Sequence, residues 1–224
     1  MLLRKYKTTL IALTLTLSTA QVFADDNTSS NPDINNWYSR GAAVSYAIQY
    51  AESFNTDKYS IYSNGDCTNF ASQVLHEGNL SMTGMYNSGS NDSWYYSSYY
   101  IRSNTWIGAH AFRYHWGNVN NVGYNGSYAY RVITYSDAYN DFTNKIYNPL
   151  WQADIIGWVN YYDGQTSHLS VVQDYDPTTG DIIVCQHSSD NGSINVSLKY
   201  LLEIYINKGC GSNWLTLFLI KNGS

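Results

Sequence analysis

The chain has 224 residues, which is enough for one domain with a buried core, and its apolar fraction of 44% excludes a wholly disordered protein. A net charge of −5 disfavours nucleic acid and anionic membranes as main partners, because both bind surfaces rich in Lys and Arg. The 23 tyrosines and three cysteines are the unusual features of the composition, and both bear on the function.

The first residues have the pattern of a secretory signal peptide. A basic start precedes the apolar run 8–17, and small or medium residues end the segment at Ala24. The run is too short for a membrane-spanning helix, which needs about 20 residues, and no later segment is long enough either. We predict a signal peptide over 1–24, a flexible tether over 25–36 and one domain over 37–224. The protein is then secreted or periplasmic, without a transmembrane segment, and a monomer is expected.

The predicted helices lie in the first half of the chain. Apolar residues recur at helical spacing over 37–50 and 68–76, and 106–116 is a third candidate. Between the second and third helices, residues 82–104 are rich in Ser, Asn, Gly and Tyr without a clear period, which indicates a long loop.

Strand patterns occupy the second half of the chain. The stretch 176–180 (DPTTG) has the composition of a tight hairpin turn and separates two of the strands. Helices first and antiparallel strands later predict an α+β fold. The predicted strands cover 128–133, 154–161, 167–174, 181–187 and 214–220.

Cys67 follows a Gly-Asp turn at the predicted start of the second helix. The unpaired amides and the dipole of a helix start favour an anion, so a thiol placed there ionises more easily and becomes a better nucleophile. The alternative roles for this cysteine are a small buried apolar residue or one half of a disulfide.

His168 begins a predicted strand and is the candidate base for such a thiol, although a histidine at a strand end can also be structural. A tight turn joins this strand to the next one, which ends at His187. Counting back from the turn brings His187 opposite the neighbourhood of His168, where it could orient the ring. A slip of one residue would exchange His187 for Gln186 or Ser188.

Two motifs resemble the putative amidase domain family, a branch of the papain-like NlpC and CHAP cysteine amidases and peptidases. The segment 66–73 reads Asp-Cys-Thr-Asn-Phe-Ala-Ser-Gln, and the preceding helix carries Tyr-x-Arg-x-x-Ala-Val-x-Tyr-Ala over 38–47. Weaker similarities are the Trp-containing helix 106–116, Ala-Asp-Ile-Ile at 153–156 in place of Gly-Asp-Ile-Ile, and the strand motifs that contain His168 and His187.

The resemblance implies a papain-like α+β fold in which the nucleophile helix packs on an antiparallel sheet. It also implies that Cys67 is the nucleophile, that His168 is the base and that His187 is the third catalytic residue. The backbone amides of Cys67 and Asp66 would bind the oxyanion. Gln186 is a supporting candidate for the third position, and Asp190 is held in reserve.

The reaction that the resemblance implies is hydrolysis of amide bonds, with peptidoglycan or another peptide as substrate. Nucleic acid is not expected as a partner. No cofactor is expected, because the chain lacks a Cys-x-x-Cys pair, a phosphate-binding loop and a calcium-binding loop, and no metal site is predicted. A non-catalytic wall- or host-binding module on the same scaffold stays open, as does a delivered toxin with deamidase or transglutaminase chemistry.

Aromatic residues concentrate in and beside the predicted long loop. They could pack in the core, or they could form a groove that stacks on sugar rings or grips peptide side chains. The candidate groove residues are Trp94, Tyr95, Tyr96 and Trp106.

The odd number of cysteines suggests one disulfide and one free thiol. Cys185 and Cys210 both lie in the C-terminal strand region, so we expect them to pair in an oxidising compartment. Cys67 would then be the free thiol.

Overall fold

The computed structural model describes residues 38–63, 65–117, 129–188 and 191–220. The predicted signal peptide, the tether and Asp190 lie outside these ranges. None of the helices in the described part of the chain combines the length and the apolar character that a bilayer crossing requires.

The first two helices form the layer that carries Cys67. Helix α1 spans Arg40–Tyr50 and begins after Ser39, whose hydroxyl accepts a hydrogen bond from the amide of Ala42. Helix α2 spans Cys67–Glu77 and is buried along its first nine residues, so it is a central helix rather than a surface one. It therefore holds Cys67 at a site that the surrounding elements define.

The predicted third helix is two helices. Gly108 has an extended backbone (φ −115°, ψ 116°) and separates α3, Asn104–Ile107, from α4, Ala109–Trp116. The preceding loop is irregular, as expected, but it is ordered by isolated bridges that pair Thr83 with Trp94 and Tyr96 with Arg102.

Six antiparallel strands form one sheet in the order β1-β6-β2-β3-β4-β5. All five predicted strands are present. The strand 181–187 has the predicted bounds, and the ends of the other four are shifted by at most two residues. Strand β5 was not predicted, because its sequence GSINVS is short and polar. The strands are β1 Ala129–Thr134, β2 Ile155–Val159, β3 Thr166–Asp176, β4 Asp181–His187, β5 Gly192–Ser197 and β6 Trp214–Leu219.

Helices cover both faces of the sheet. The residues Leu169, Val171 and Cys185 point toward α1, α2 and α4. Their neighbours Val172 and Val184 point to the opposite face. That second face is covered by α5, Tyr135–Asn140, by α6, Leu198–Tyr205, and by the π-helical turns Thr143–Tyr147 and Ile206–Cys210. The observed fold is thus α+β with an antiparallel sheet, as predicted.

Arg40 anchors the start of α1 to the sheet. Its guanidinium lies 2.9 Å from Oδ1 of the buried Asp154 and also donates to the carbonyls of Gln152 and Ile220. The Asp154 carboxylate accepts further bonds from the amides of Trp151 and Ile220. Burial raises the pKa of Asp154 to about 6, against the opposing effect of Arg40. This network fixes the position of α1 against the sheet, and with it the position of the carbonyl group of Tyr50, the last residue of α1.

Candidate active site

The first residue of α2 is Cys67, which is 6% exposed. Burial alone would raise the pKa of the thiol, but three contacts together bring it below its ordinary value. These are a hydrogen bond and charge interaction with His168, a hydrogen bond from the backbone amide of Leu169, and a contact with Oγ1 of Thr68 at 3.7 Å. The sulfur therefore lies where a thiolate is stabilised.

His168 lies near the start of β3 and is half-buried. Burial lowers the pKa of its imidazole, but hydrogen bonding and charge interaction with Cys67 and a hydrogen bond to Gln186 raise it above the ordinary value. The thiol pKa falls and the imidazole pKa rises through the same contact. The pair is therefore biased toward thiolate and imidazolium, and its titration belongs to both groups together.

Gln186 orients the ring of His168. Its Oε1 lies 2.9 Å from Nε2 of His168 and accepts a second hydrogen bond, at 2.6 Å, from the hydroxyl of Ser170. The hydroxyl oxygen in turn accepts a bond from the indole nitrogen of Trp158. Because a carbonyl oxygen only accepts, Nε2 of His168 carries the hydrogen and Nδ1 is left to meet the thiol.

His187 does not lie where the sequence placed it. The β3–β4 register shifts by one residue between Val172 and Asp174, which inserts a bulge at Gln173. Beyond the bulge, Val171 pairs with Cys185, so Gln186 comes to the face of His168 and His187 to the opposite face. The prediction that His187 contacts His168 is wrong for this reason. Gln186 contacts His168 instead, which is the alternative that a slip of one residue gives.

Asp66 binds His187 and also binds residues on both sides of the nucleophile. Its Oδ2 lies 2.7 Å from Nδ1 of His187, and its Oδ1 accepts from the amide of Tyr62 and from the side-chain amide of Asn69. The carboxylate does not cap the amides of its own helix. The predicted oxyanion donors, the backbone amides of Asp66 and Cys67, thus belong to a segment that these bonds hold in place.

The four predicted groove aromatics belong to the core. Trp94 and Trp106 are fully buried, and Tyr95 and Tyr96 are nearly so. The indole nitrogen of Trp106 donates to Asn69, so this cluster supports α2 from behind. The prediction of a groove lined by these residues is wrong, because the loop folds its large rings inward. The exposed rings of the same loop are those of Tyr86, Tyr99 and Tyr100.

The expected disulfide is not formed. Cys67, Cys185 and Cys210 are all free thiols. Cys185 is buried on the α2 face of the sheet, whereas Cys210 packs with the cluster on the other face. The sheet lies between the two sulfurs, and sequence separation gave no indication of this.

Within the described ranges, no cluster of three or more His, Cys, Asp or Glu side chains could hold a metal ion.

The fold and the site define a class of α+β protein in which a buried cysteine at a helix start faces a histidine of an antiparallel sheet. The family model for the putative amidase domain matches residues 37–210, more than half of the chain. The chain belongs to this family, as its motifs suggested, and membership supports a hydrolase of amides. Neither the curated proteins nor the solved structures contain a match.

Two features of the site had no clear signal in the sequence. Ser170 supports Gln186, but a serine within a strand gives no indication of this role. The contact between Asp66 and His187 joins residues 121 positions apart, and only the fold brings them together. The signal that could have favoured Gln186 is strand parity, since His168 and Gln186 share a face once a bulge is allowed.

Proposed function

We propose that the protein is a secreted cysteine amidase or peptidase that hydrolyses amide bonds in peptidoglycan peptides, on a papain-like fold. The observation that supports this most is the arrangement of Cys67, His168 and Gln186, in which a thiol at a helix start meets an imidazole that a side-chain amide orients. Membership in the amidase family supports the type of bond.

In the proposed reaction, the Cys67 thiolate attacks the carbonyl carbon of the amide. The backbone amides of Cys67 and Asp66 stabilise the oxyanion of the tetrahedral intermediate. When this intermediate collapses to a thioester, the imidazolium of His168 gives its proton to the departing amine. His168 then takes a proton from water, and the resulting hydroxide displaces the Cys67 thiolate and releases a carboxylic acid.

Secretion and the wall substrate are supported by the sequence rather than by the site. The basic and apolar start of the chain favours export, and an acidic exported amidase would meet wall peptides outside the membrane. The chain is acidic overall, so we propose that it recognises its substrate through aromatic and hydrogen-bonding contacts rather than through positive charge.

The test is digestion of purified peptidoglycan, followed by mass analysis of the released fragments. We expect the wild-type protein to release peptides with new amine and carboxyl ends, and Cys67→Ala to release none while it keeps its melting temperature. Cys210→Ser is the matched control, because this cysteine lies on the other face of the sheet and should be dispensable. Full activity of Cys67→Ala would contradict the mechanism.

Two other outcomes separate the remaining functions. A Cys67 thiol that alkylates slowly at neutral pH, together with no fragments, would favour a non-catalytic binding module. Release of ammonia from a glutamine peptide, without cleavage of wall peptides, would favour deamidase or transglutaminase chemistry.

A further inference from the structure

His187 is a buried histidine that the proposed reaction does not use. Its side chain is 1% exposed, and Nδ1 lies 2.7 Å from Oδ2 of Asp66 while Nε2 lies 2.8 Å from the backbone carbonyl oxygen of Tyr50. A carbonyl oxygen only accepts hydrogen bonds, so Nε2 carries a hydrogen. An ionised carboxylate also only accepts, so its contact with Nδ1 calls for a hydrogen on that nitrogen as well.

The surroundings of Asp66 agree with an ionised carboxylate. Its other oxygen, Oδ1, accepts two N–H donors, from the backbone of Tyr62 and the side chain of Asn69. Burying an ionised carboxylate without a positive partner is costly, and His187 is the side chain in position to be that partner. Burial, more than the Asp66 charge, raises the pKa of the neighbouring Tyr46 phenol, so that side chain stays neutral.

The dipoles of α1 and α2 favour a cation at the position of His187 and an anion at the position of Asp66. Tyr50 is the last residue of α1, so its carbonyl is at the negative end of that helix and favours a cation. Asp66 precedes the first residue of α2, the positive end of that helix, which favours an anion. The rings of Phe70 and Phe54, with centres 4.0 Å and 4.4 Å from that of His187, pack against the imidazole.

Gly192 allows α1 to reach this position. It pairs with His187 across β4 and β5, and a Cβ at this residue would lie 1.4 Å from the carbonyl oxygen of Ala51. Any side chain here would therefore push the end of α1 away from the strand. The close approach of α1 to His187 therefore depends on the absence of a side chain at Gly192.

The location of this pair matters for the nucleophile, because Asp66 is adjacent to Cys67. A carboxylate next to a thiol disfavours the thiolate, since like charges repel. The same carboxylate accepts hydrogen bonds from the backbone amide of Tyr62 and the side chain of Asn69, and these bonds help to fix the start of α2. Neutralising its charge without losing its bonds would satisfy both requirements.

We propose that His187 is a positioning residue, whose imidazolium neutralises the Asp66 carboxylate so that Asp66 can hold the start of α2 without suppressing the Cys67 thiolate. This inference rests on the proposed function, in which that thiolate is the nucleophile. It gives His187 a role that acts through Asp66 and does not involve contact with the substrate or with His168.

The test compares His187→Gln with the double variant Asp66→Asn/His187→Gln. The rate of Cys67 alkylation by iodoacetamide is measured against pH, and peptide mass mapping assigns the modified cysteine. In His187→Gln nothing neutralises the charge of the Asp66 carboxylate. We therefore expect the midpoint of the alkylation rate against pH to move to higher pH, and the rate below that midpoint to fall about tenfold. In the double variant no charge remains, and the midpoint should return toward that of the wild type.

A purely structural role would affect folding in both variants and would not be rescued by removing the second charge. If His187→Gln keeps its melting temperature and has the wild-type alkylation profile, the inference is overturned. If the wild-type thiol itself alkylates slowly at neutral pH, the proposed function fails instead, so the two failures are distinguishable.

A measurement on the wild-type protein covers the case in which His187→Gln does not fold. Nitrogen-15 NMR of the imidazole reports the hydrogen on each ring nitrogen directly. We expect both nitrogens of His187 to be protonated at neutral pH. A neutral ring with one bare nitrogen would overturn the inference.

Discussion

His168 on β3 and Gln186 on β4 are joined by a hydrogen bond of 2.9 Å, which leaves Nδ1 of the histidine to face Cys67. The bond exists because a bulge at Gln173 brings these two side chains to the same face of the sheet. The site therefore depends on the register of two strands as much as on the nucleophile helix.

Replacing Gln186 by Ala should lower kcat while changing KM little. The ring of His168 would lose the partner that fixes its tautomer, and positioned acid–base catalysis contributes about 10²–10⁴-fold, so we expect a loss of about a hundredfold. Steady-state kinetics on released wall peptides measures the effect. Gln49→Ala on the exposed face of α1 is the matched control, and equal activity of the two variants would contradict the role.

The His168→Ala variant should shift the pH dependence of Cys67 alkylation upward. Burial raises the pKa of this thiol, and contacts with His168 and the Leu169 amide bring it below its usual range, so removing the imidazole leaves burial less opposed. The midpoint of the alkylation rate against pH then moves to higher pH. An unchanged midpoint would show that His168 does not stabilise the thiolate.

The pH profile of kcat/KM should be bell-shaped in the wild-type protein. Activity rises as pH increases through the lowered pKa of Cys67, because the thiolate forms. It falls as pH increases through the raised pKa of His168, because the proton for the leaving amine is lost. A profile that keeps rising toward pH 10 would contradict the use of an imidazolium acid.

All three cysteines should react with a thiol reagent without prior reduction. Cys185 and Cys210 lie on opposite sides of the sheet, so we expect three thiols per chain in denaturant. The melting temperature should be the same with and without a reductant. A count of one thiol, with the bridge mapped to Cys185 and Cys210, would contradict the structure and restore the expected pairing.

The buried and exposed aromatics of the loop region should differ in their effect on stability. Trp106→Ala removes a fully buried ring and should lower the free energy of unfolding by about 3–5 kcal/mol. Tyr100 is 85% exposed, and Tyr100→Ala should change it by no more than about 0.5 kcal/mol. Urea denaturation measures both, and equal effects would contradict the inward orientation of Trp106.

The sequence by itself determined the local features of this protein. Helical periodicity predicted α1 and α2, the turn residues of 176–180 predicted the hairpin, and the motif around Cys67 indicated the family. These features depend on contacts between near neighbours, namely caps, turns and spacing along one element, which a sequence carries directly.

Only the tertiary structure decided which distant residues meet. The bulge at Gln173 in β3 changes which side chains of β4 share a face with His168, so Gln186 rather than His187 contacts that residue. The same change sent His187 to Asp66, and packing behind α2 turned the loop aromatics inward. The two faces of the sheet separated Cys185 from Cys210. Each outcome depends on one residue of register or on which face of the sheet a side chain occupies, and the energy that sets it comes from long-range packing rather than from local sequence.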